Sequence, residues 1–391
     1  PRGIVAAATG LSLAGRRATA FLAGPDIAAT TDLLISAAGK HAPLVLHVAT
    51  RAAAAHGGAS GSGHDTLHLC GDTGFFVLVA ENVQQAVDFT CIARRVAEEA
   101  LVPGLVVMDG EQTALAPQDV RLLSPSQVAG FVGAPREAIE APTEAQKLLF
   151  GATRRRLPAW HDLDEPMLTG ALFDDSSFAL GAVARRPFFD DFVATSLGHA
   201  CAAFEKRTGR GYTPLSTYRT DDAEVVLVAM GAAVETARVA ADSLREQHRQ
   251  RVGVLGVRAL RPFPAADFAT AVGGAKRVLV LERSDAPLAG EPPLTRELRA
   301  CLHRVADGQR PACTPIVYGL GGLPLRQADI IDLCTHAPTE PGALCYLGVS
   351  LDDSTGDQPK RDVLLDALRR AYPDAARLGV RAAQDAAATL P

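Results

Sequence analysis

Arg51 is the residue of this sequence with the most specific chemistry. It ends the apolar run PLVLHVATR (43–51), which is apolar on both faces, as buried parallel strands are. A guanidinium at the carboxyl end of such a strand can bind a substrate carboxylate through two parallel hydrogen bonds, a geometry that lysine cannot reproduce. An ion pair with Asp65, Asp72 or Asp109 would use the same group equally well, so the pattern alone leaves both roles open.

A second apolar run, GLVVMDG (104–110), ends at Asp109 and Gly110. In an open parallel sheet, the carboxyl ends of the strands are where α/β folds bind ligands. Asp109 could therefore orient a ligand or cap the turn that follows, and the sequence favours the turn cap.

His64 and His68 are spaced four residues apart, with Cys70 close behind. A helical HxxxH pair could bind a metal, but the segment GSGHDTLHLCGDTG (61–74) has strand and loop character and lacks the glutamate of metalloprotease motifs. Local hydrogen bonding is therefore the favoured interpretation. No metal ligand and no catalytic residue is assigned from the sequence.

Nucleotide and hydrolase motifs are absent from the sequence. Neither GxGxxG, GxxxxGK[ST] nor GxSxG occurs. GLGG (319–322) is explained by a turn, and GASGSG (58–63) by a flexible loop.

The composition excludes several protein classes. The chain has 391 residues, 48% of them hydrophobic and 5% aromatic, and a net charge of −5, which gives no basic face for nucleic acid. Its seven cysteines form no CxxC, so neither an iron–sulfur cluster nor a structural zinc site is indicated, and reduced cytoplasmic thiols are expected. No apolar run approaches the roughly 20 residues that cross a bilayer. The start Pro-Arg-Gly-Ile, without Met, suggests a processed or truncated amino end.

The elements that must position these groups alternate between strand and helix. Strands are predicted at 18–24, 43–51, 75–80 and 104–110, and Asn82 should cap an amphipathic helix that begins at Val83. A helix over 3–14 and another over 26–40 precede them. This alternation of strands and helices predicts an α/β fold with a mainly parallel sheet.

A second series of alternating strands and helices begins near residue 223. Strands are predicted at 223–231, 252–260 and 276–283, joined by helices, and they make a smaller doubly wound domain. Between the two, proline-rich sequence predicts a connection with short helices. The sequence predicts a first domain over 1–145, a connection over 146–205, a second domain over 206–350, and a carboxyl-terminal helix and tail over 351–391.

Several spaced motifs resemble the pyruvate:ferredoxin (flavodoxin) oxidoreductase family. In the first domain they are HVATR, HDTLHLCGDTGF, ENVQQAVDF and VVMDGEQT; in the second, TGRGY, VAMGAAVETA, VGVLGVRALRPF, LVLERSDAPLAGEPPL, VYGLGG and YLGVSLDD. They occur in the family's order and cover nearly the whole chain.

This resemblance implies a thiamine diphosphate pyrimidine-type module followed by a module like the carboxyl-terminal domain of transketolase. Arg51 matches the arginine that holds the substrate carboxylate. Thiamine diphosphate with Mg would bind at an interface with another module, and iron–sulfur clusters would lie only on other domains or subunits. The implied partners are a 2-oxoacid, CoA, diphosphate-binding and ferredoxin-type modules, and ferredoxin or flavodoxin. A dimer or larger assembly is expected, because such sites form between modules.

The sequence also departs from the family pattern. The family's glutamate that activates thiamine precedes a turn matched by GLSLAG (10–15), and counting back without a gap places Pro1 at its position. The family's Ser-Gln-Gly appears as Gly24-Pro25-Asp26, and its FRTSHE as EQTALA (111–116).

The sequence thus predicts a component of a pyruvate-type 2-oxoacid:acceptor oxidoreductase that is competent only with further modules. Its reaction would be thiamine-dependent oxidative decarboxylation to an acyl-CoA. The alternative is a degenerate, non-catalytic structural or regulatory subunit that retains the fold.

Overall fold

The structure, a computed structural model, describes residues 1–160, 173–286, 288–336, 344–349, 351 and 358–373. Its strands are β1 Thr19–Ala23, β2 Val45–Thr50, β3 Phe76–Val79, β4 Gly104–Asp109, β5 Ala138–Glu140, β6 Thr153–Arg155, β7 Leu215–Tyr218, β8 Val225–Ala229, β9 Val252–Val257, β10 Ala259–Arg261, β11 Arg277–Glu282, β12 Ala312–Tyr318 and β13 Cys345–Leu347. Its α-helices are α1 Arg2–Leu13, α2 Gly24–Ala28, α3 Thr31–Gly39, α4 Asp65–Cys70, α5 Val83–Ala100, α6 Pro125–Val132, α7 Glu144–Phe150, α8 Asp175–Arg185, α9 Asp191–Thr208, α10 Ala233–His248, α11 Ala265–Val272, α12 Pro293–Leu302, α13 Gln327–Thr335 and α14 Pro359–Ala371.

The first sheet has the strand order β1-β2-β4-β3-β10. All its pairings are parallel except that of β10 with β3, which is antiparallel. α5 packs on β2, β3 and β4 through an apolar face that includes Phe89, Ile92 and Val96. Asn82 caps α5 by accepting a hydrogen bond from the Gln85 N–H at 2.9 Å, so the predicted cap is confirmed.

The second sheet has the strand order β13-β12-β11-β8-β9-β7. It is parallel apart from β7, which pairs antiparallel with β9. The predicted fold class, α/β with mainly parallel sheets, is confirmed. The prediction of three strands in this domain was wrong, because β7, β12 and β13 extend the sheet at its edges.

The predicted single strand over 252–260 was also wrong. The chain leaves the second sheet after Val257, and β10 joins the first sheet instead. The Arg258 and Ala259 amides donate to the Pro214 carbonyl at 2.9 Å, and the Arg258 carbonyl accepts from the Val79 N–H at 2.7 Å. These hydrogen bonds mark the end of β9 and the beginning of β10.

Two compact units result, and each draws on segments that are distant in sequence. Unit one comprises 1–50, 66–214 and 258–263. Unit two comprises 51–65, 215–257 and the described residues from 264 onward. The Arg51 loop, which we define as Arg51–Asp65, therefore belongs to unit two although it immediately follows β2.

The described part of the predicted connection (146–205) contains β6, α8 and most of α9. α9 has 18 residues, so it is longer than the short helices that the sequence predicts. The helix predicted over 26–40 is instead divided into α2 and α3. No helix within the described residues is long and apolar enough to cross a membrane.

Candidate functional site

Arg51 follows the last residue of β2 directly. That residue, Thr50, lies opposite Asp109 in the parallel pairing of β2 with β4, and the Thr50 hydroxyl donates to Asp109 Oδ1 at 3.5 Å. Thr50 and Asp109 are each only 2% exposed, whereas Arg51 is exposed. The carboxyl ends of β2 and β4 therefore hold a buried polar pair, and the next residue along β2 carries an exposed guanidinium.

Asp65 and Asp72, two of the possible ion-pair partners of Arg51, contact other residues instead. Asp65 Oδ1 accepts from Ser284 Oγ at 3.0 Å, and Asp72 lies 3.8 Å from the Arg261 guanidinium. Among the residues that the structure describes, none forms an ion pair with Arg51.

Asp109 closes the turn after β4 through its backbone. Its carbonyl accepts from the Thr113 N–H at 3.1 Å and from the Ala114 N–H at 2.9 Å. The turn that the sequence predicted is present, but the carbonyl closes it while the side chain faces Thr50. Thr113 is 2% exposed, and its hydroxyl has no hydrogen-bond partner among the described residues.

The HxxxH segment is helical, contrary to the strand and loop character predicted for it. α4 begins at Asp65, so His68 lies in its last turn and His64 just before it. His64 is 2% exposed, and its backbone N–H donates to the Arg283 carbonyl at 2.9 Å. The described residues contain no group of three or more His, Cys, Asp or Glu that could hold a metal ion.

Sequence reasoning missed a buried charged network in unit one. Glu81, which comes two residues after β3 and is 1% exposed, pairs with Arg258 at 3.0 Å. Asp88 accepts two hydrogen bonds from Arg210, at 2.6 and 2.8 Å, and one from the Tyr212 hydroxyl at 2.6 Å. Burial and the bond to Asp88 raise the pKa of Tyr212. Local sequence could not pair these groups, because more than 100 residues separate each partner from the other.

A cavity in unit one lies at the opposite end of the sheet. It has a volume of about 470 Å³, and its lining includes Phe75, Phe76 and Val102, at the amino ends of β3 and β4. Thr50 and Asp109 lie at the carboxyl ends, so this cavity is not part of the polar edge.

Two family models match consecutive parts of the chain. Residues 2–168 match the thiamine diphosphate-binding domain of pyruvate flavodoxin/ferredoxin oxidoreductase. Residues 223–330 match core domain II of pyruvate:ferredoxin oxidoreductase.

Curated relatives share both parts in one alignment. The chain is 28% identical to the pyruvate synthase subunit PorA of Methanothermobacter thermautotrophicus over 348 residues, which is 88% of this chain and 83% of that subunit. Its identity to the PorA of Thermotoga maritima is 28% over 335 residues, which is 83% and 77% of the two chains. The probable pyruvate-flavodoxin oxidoreductase of Escherichia coli is 28% identical over 323 residues, but these are only 26% of that protein.

A solved structure shows the same fold. The 2-oxoglutarate:ferredoxin oxidoreductase from Magnetococcus marinus superposes with a TM-score of 0.52 at 17% identity, over 85% of this chain and 55% of that chain. The order of the two family domains, the PorA alignments and the shared fold agree. The chain belongs to the pyruvate:ferredoxin/flavodoxin oxidoreductase family and corresponds to a subunit of a 2-oxoacid oxidoreductase.

Proposed function

We propose that this chain supplies the pyrimidine-side and core domain II parts of a pyruvate-type 2-oxoacid:ferredoxin or flavodoxin oxidoreductase. The observation that carries the proposal is the single alignment of both parts with PorA subunits, over 83% of the Methanothermobacter subunit. In the reaction, the bond between the carboxylate and the carbonyl carbon breaks, CO₂ leaves, and the acyl carbon forms a thioester with CoA. Two electrons pass to the acceptor protein.

Arg51 binds the carboxylate of the 2-oxoacid in this proposal. Its guanidinium is exposed at the end of β2 and has no ion-pair partner among the described residues. Two parallel hydrogen bonds to one carboxylate fix the orientation of the substrate as well as holding it. A single arginine accepts any 2-oxo carboxylate, and pyruvate is favoured by the names of the relatives.

Two buried acids of unit one, Glu81 and Asp88, are not assigned as the acid that activates thiamine. Thiamine diphosphate, when bound, would supply the electron sink for decarboxylation, and its activation would require a carboxylate at the aminopyrimidine ring. Glu81 and Asp88 are buried and engaged by Arg258 and Arg210. We therefore assign thiamine activation, Mg binding and the iron–sulfur clusters to residues or modules other than these.

The test is pyruvate-dependent reduction of a low-potential acceptor by the chain assembled with its partner modules. Arg51→Gln should raise the KM for pyruvate about 10- to 100-fold, because a charge-assisted hydrogen bond contributes roughly 1.5–3 kcal/mol. Arg51→Lys should recover only part of the loss. Arg16→Gln, which removes an exposed arginine, is the matched control. An unchanged KM in Arg51→Gln would refute the proposed role.

A non-catalytic subunit is the second candidate function. It is favoured by the EQTALA sequence (111–116), which stands where the family has FRTSHE. Absence of turnover with every partner module present would support this candidate. Tight binding of thiamine diphosphate by the isolated chain would count against our assignment of the cofactor to an interface with another module.

A further inference from the structure

The Arg51 loop is closed on itself immediately after Arg51. The Ala52 N–H donates to the Gly61 carbonyl at 3.0 Å, and the Ala53 N–H donates to Asp65 Oδ2 at 3.3 Å. The first two amides after Arg51 are therefore both held by residues from the far end of the loop. These two bonds tie the backbone that follows Arg51 to the far end of the loop.

The far end of the loop is bound to the carboxyl end of β11. Ser284 Oγ donates to Asp65 Oδ1 at 3.0 Å, and the His64 N–H donates to the Arg283 carbonyl at 2.9 Å. Arg283 and Ser284 are 4% and 3% exposed. The Asp65 carboxylate therefore links the two segments, because one oxygen accepts from the Ala53 N–H and the other accepts from the Ser284 hydroxyl.

Close backbone packing provides a further anchor, beside β12. A Cβ on Gly61 would overlap the backbone of Gly322, in the GLGG segment that follows β12. Within the loop, a Cβ on Gly63 would lie 2.8 Å from the Ala52 Cα. Glycine at position 61 therefore lets the loop lie against GLGG, and any side chain there must push the two apart.

We infer that Asp65, Ser284 and the Gly61–Gly322 contact are positioning elements for Arg51, and that they hold its guanidinium ready for the substrate carboxylate. This assigns a role to the ERSD and GLGG segments of unit two, which the proposed function leaves unexplained. The inference rests on the proposed role of Arg51. Bidentate binding requires placement within about 0.5 Å, so a loop that moves costs substrate affinity.

Hydrogen exchange tests the anchor in the full chain, whether or not turnover is observed. Ser284→Ala and Gly61→Ala should speed exchange of the amides of Ala52, Ala53 and His64 about 3- to 10-fold, the effect of losing one typical hydrogen bond. Ser284→Thr, which keeps the hydroxyl, should restore protection. The matched controls are Ser60→Ala, an exposed serine of the same loop, and Gly58→Ala, where a Cβ meets open space. Exchange that is equal in all variants would overturn the anchor.

Steady-state kinetics of the assembled complex test the link to Arg51. Ser284→Ala should raise the KM for the 2-oxoacid about 3- to 10-fold and leave the KM for CoA unchanged. A purely structural role would instead lower the active fraction and hence kcat alone. Faster loop exchange with an unchanged KM for the 2-oxoacid would overturn the positioning role. If Arg51→Gln also leaves that KM unchanged, the proposed role of Arg51 fails, while the exchange data still decide whether the anchor exists.

Discussion

At the scale of single residues, burial decides which groups are charged. His47 of β2 is 4% exposed, and its ring stacks on Phe21 with 5.0 Å between ring centroids. Burial, and secondarily the nearby Arg94, lowers the pKa of His47 to about 4. Since the pKa of an unfolded histidine is about 6.5, the folded protein keeps His47 neutral down to about pH 4, whereas the unfolded chain binds the proton near pH 6.5.

The free energy of unfolding should therefore fall as the pH drops from about 6.5 towards 4. The folded pKa is depressed, so this stabilisation is fully present above the unfolded pKa and is lost as the pH falls through the folded pKa. His47→Gln should remove about 2–3 kcal/mol of that pH dependence. Denaturant unfolding at several pH values measures it, with the exposed His56→Gln as control. An identical pH dependence in His47→Gln and the parent would contradict the assignment.

At the scale of elements, α5 links the first sheet to its surroundings. Its apolar face covers three strands, and its buried acids are engaged by arginines from elsewhere in unit one: Arg17 contacts Glu98 at 2.7 Å, and Arg210 contacts Asp88 at 2.6 Å. Its amino end depends on one side chain, since Asn82 satisfies the Gln85 N–H. α5 is therefore held to the sheet by its apolar face and to neighbouring segments of unit one by its buried acids.

Removing the Asn82 cap should lower the free energy of unfolding by about 1 kcal/mol in Asn82→Ala, because an amide of the first turn loses its acceptor. Asn82→Asp keeps the acceptor and should stay close to the parent. Chemical denaturation of the three proteins provides the comparison. A loss in Asn82→Asp as large as that in Asn82→Ala would show that the capping bond is not the cause.

At the scale of the whole molecule, the two units exchange segments. Residues 258–263, which include Arg258 and β10, belong to unit one although the sequence on both sides belongs to unit two. The Arg51 loop belongs to unit two although the sequence on both sides belongs to unit one. Each unit is therefore incomplete in a chain cut between them. The domain boundaries predicted from the sequence are contiguous and stay a prediction. The compact units of the structure are discontinuous in sequence.

Fragments 1–214 and 215–391 should each lack a cooperative unfolding transition when produced alone. In the first fragment, Glu81 loses Arg258, and removing one partner of a buried ion pair costs about 3–5 kcal/mol. Co-expression of the two fragments should restore the transition, as thermal unfolding by circular dichroism would show. A separate fragment 1–214 that unfolds as cooperatively as the intact chain would refute this expectation.

Local pattern predicted most of the scaffold because the buried parallel strands are continuous apolar runs. β1, β2, β4, β8 and α5 lie within a few residues of their predicted positions. The division of 252–260 into β9 and β10 escaped prediction, because Val79 and Pro214, which hold Arg258 at the break, lie far away in the sequence.

The candidate site was predicted only in part, for a similar reason. Arg51 and Asp109 could be singled out because each ends an apolar run. The Arg51 loop, in contrast, is rich in Gly, Ala and Ser, a composition that indicates flexibility, while its actual anchor depends on Ser284, 219 residues beyond Asp65. A family resemblance suggested the proposed role of Arg51, but only the fold shows the contacts of its loop.

The late arrival of β10 also constrains how the chain is made. Arg258 follows its partner Glu81 by 177 residues, so a ribosome adding about 5–20 residues per second needs about 10–35 s to deliver it. Until then β3 is the open edge of the nascent first sheet, with unpaired backbone groups available to any neighbouring strand. The yield of native protein should therefore depend on how fast the ribosome translates from the Glu81 codon to the Arg258 codon. It should also depend on chaperones that shield the β3 edge.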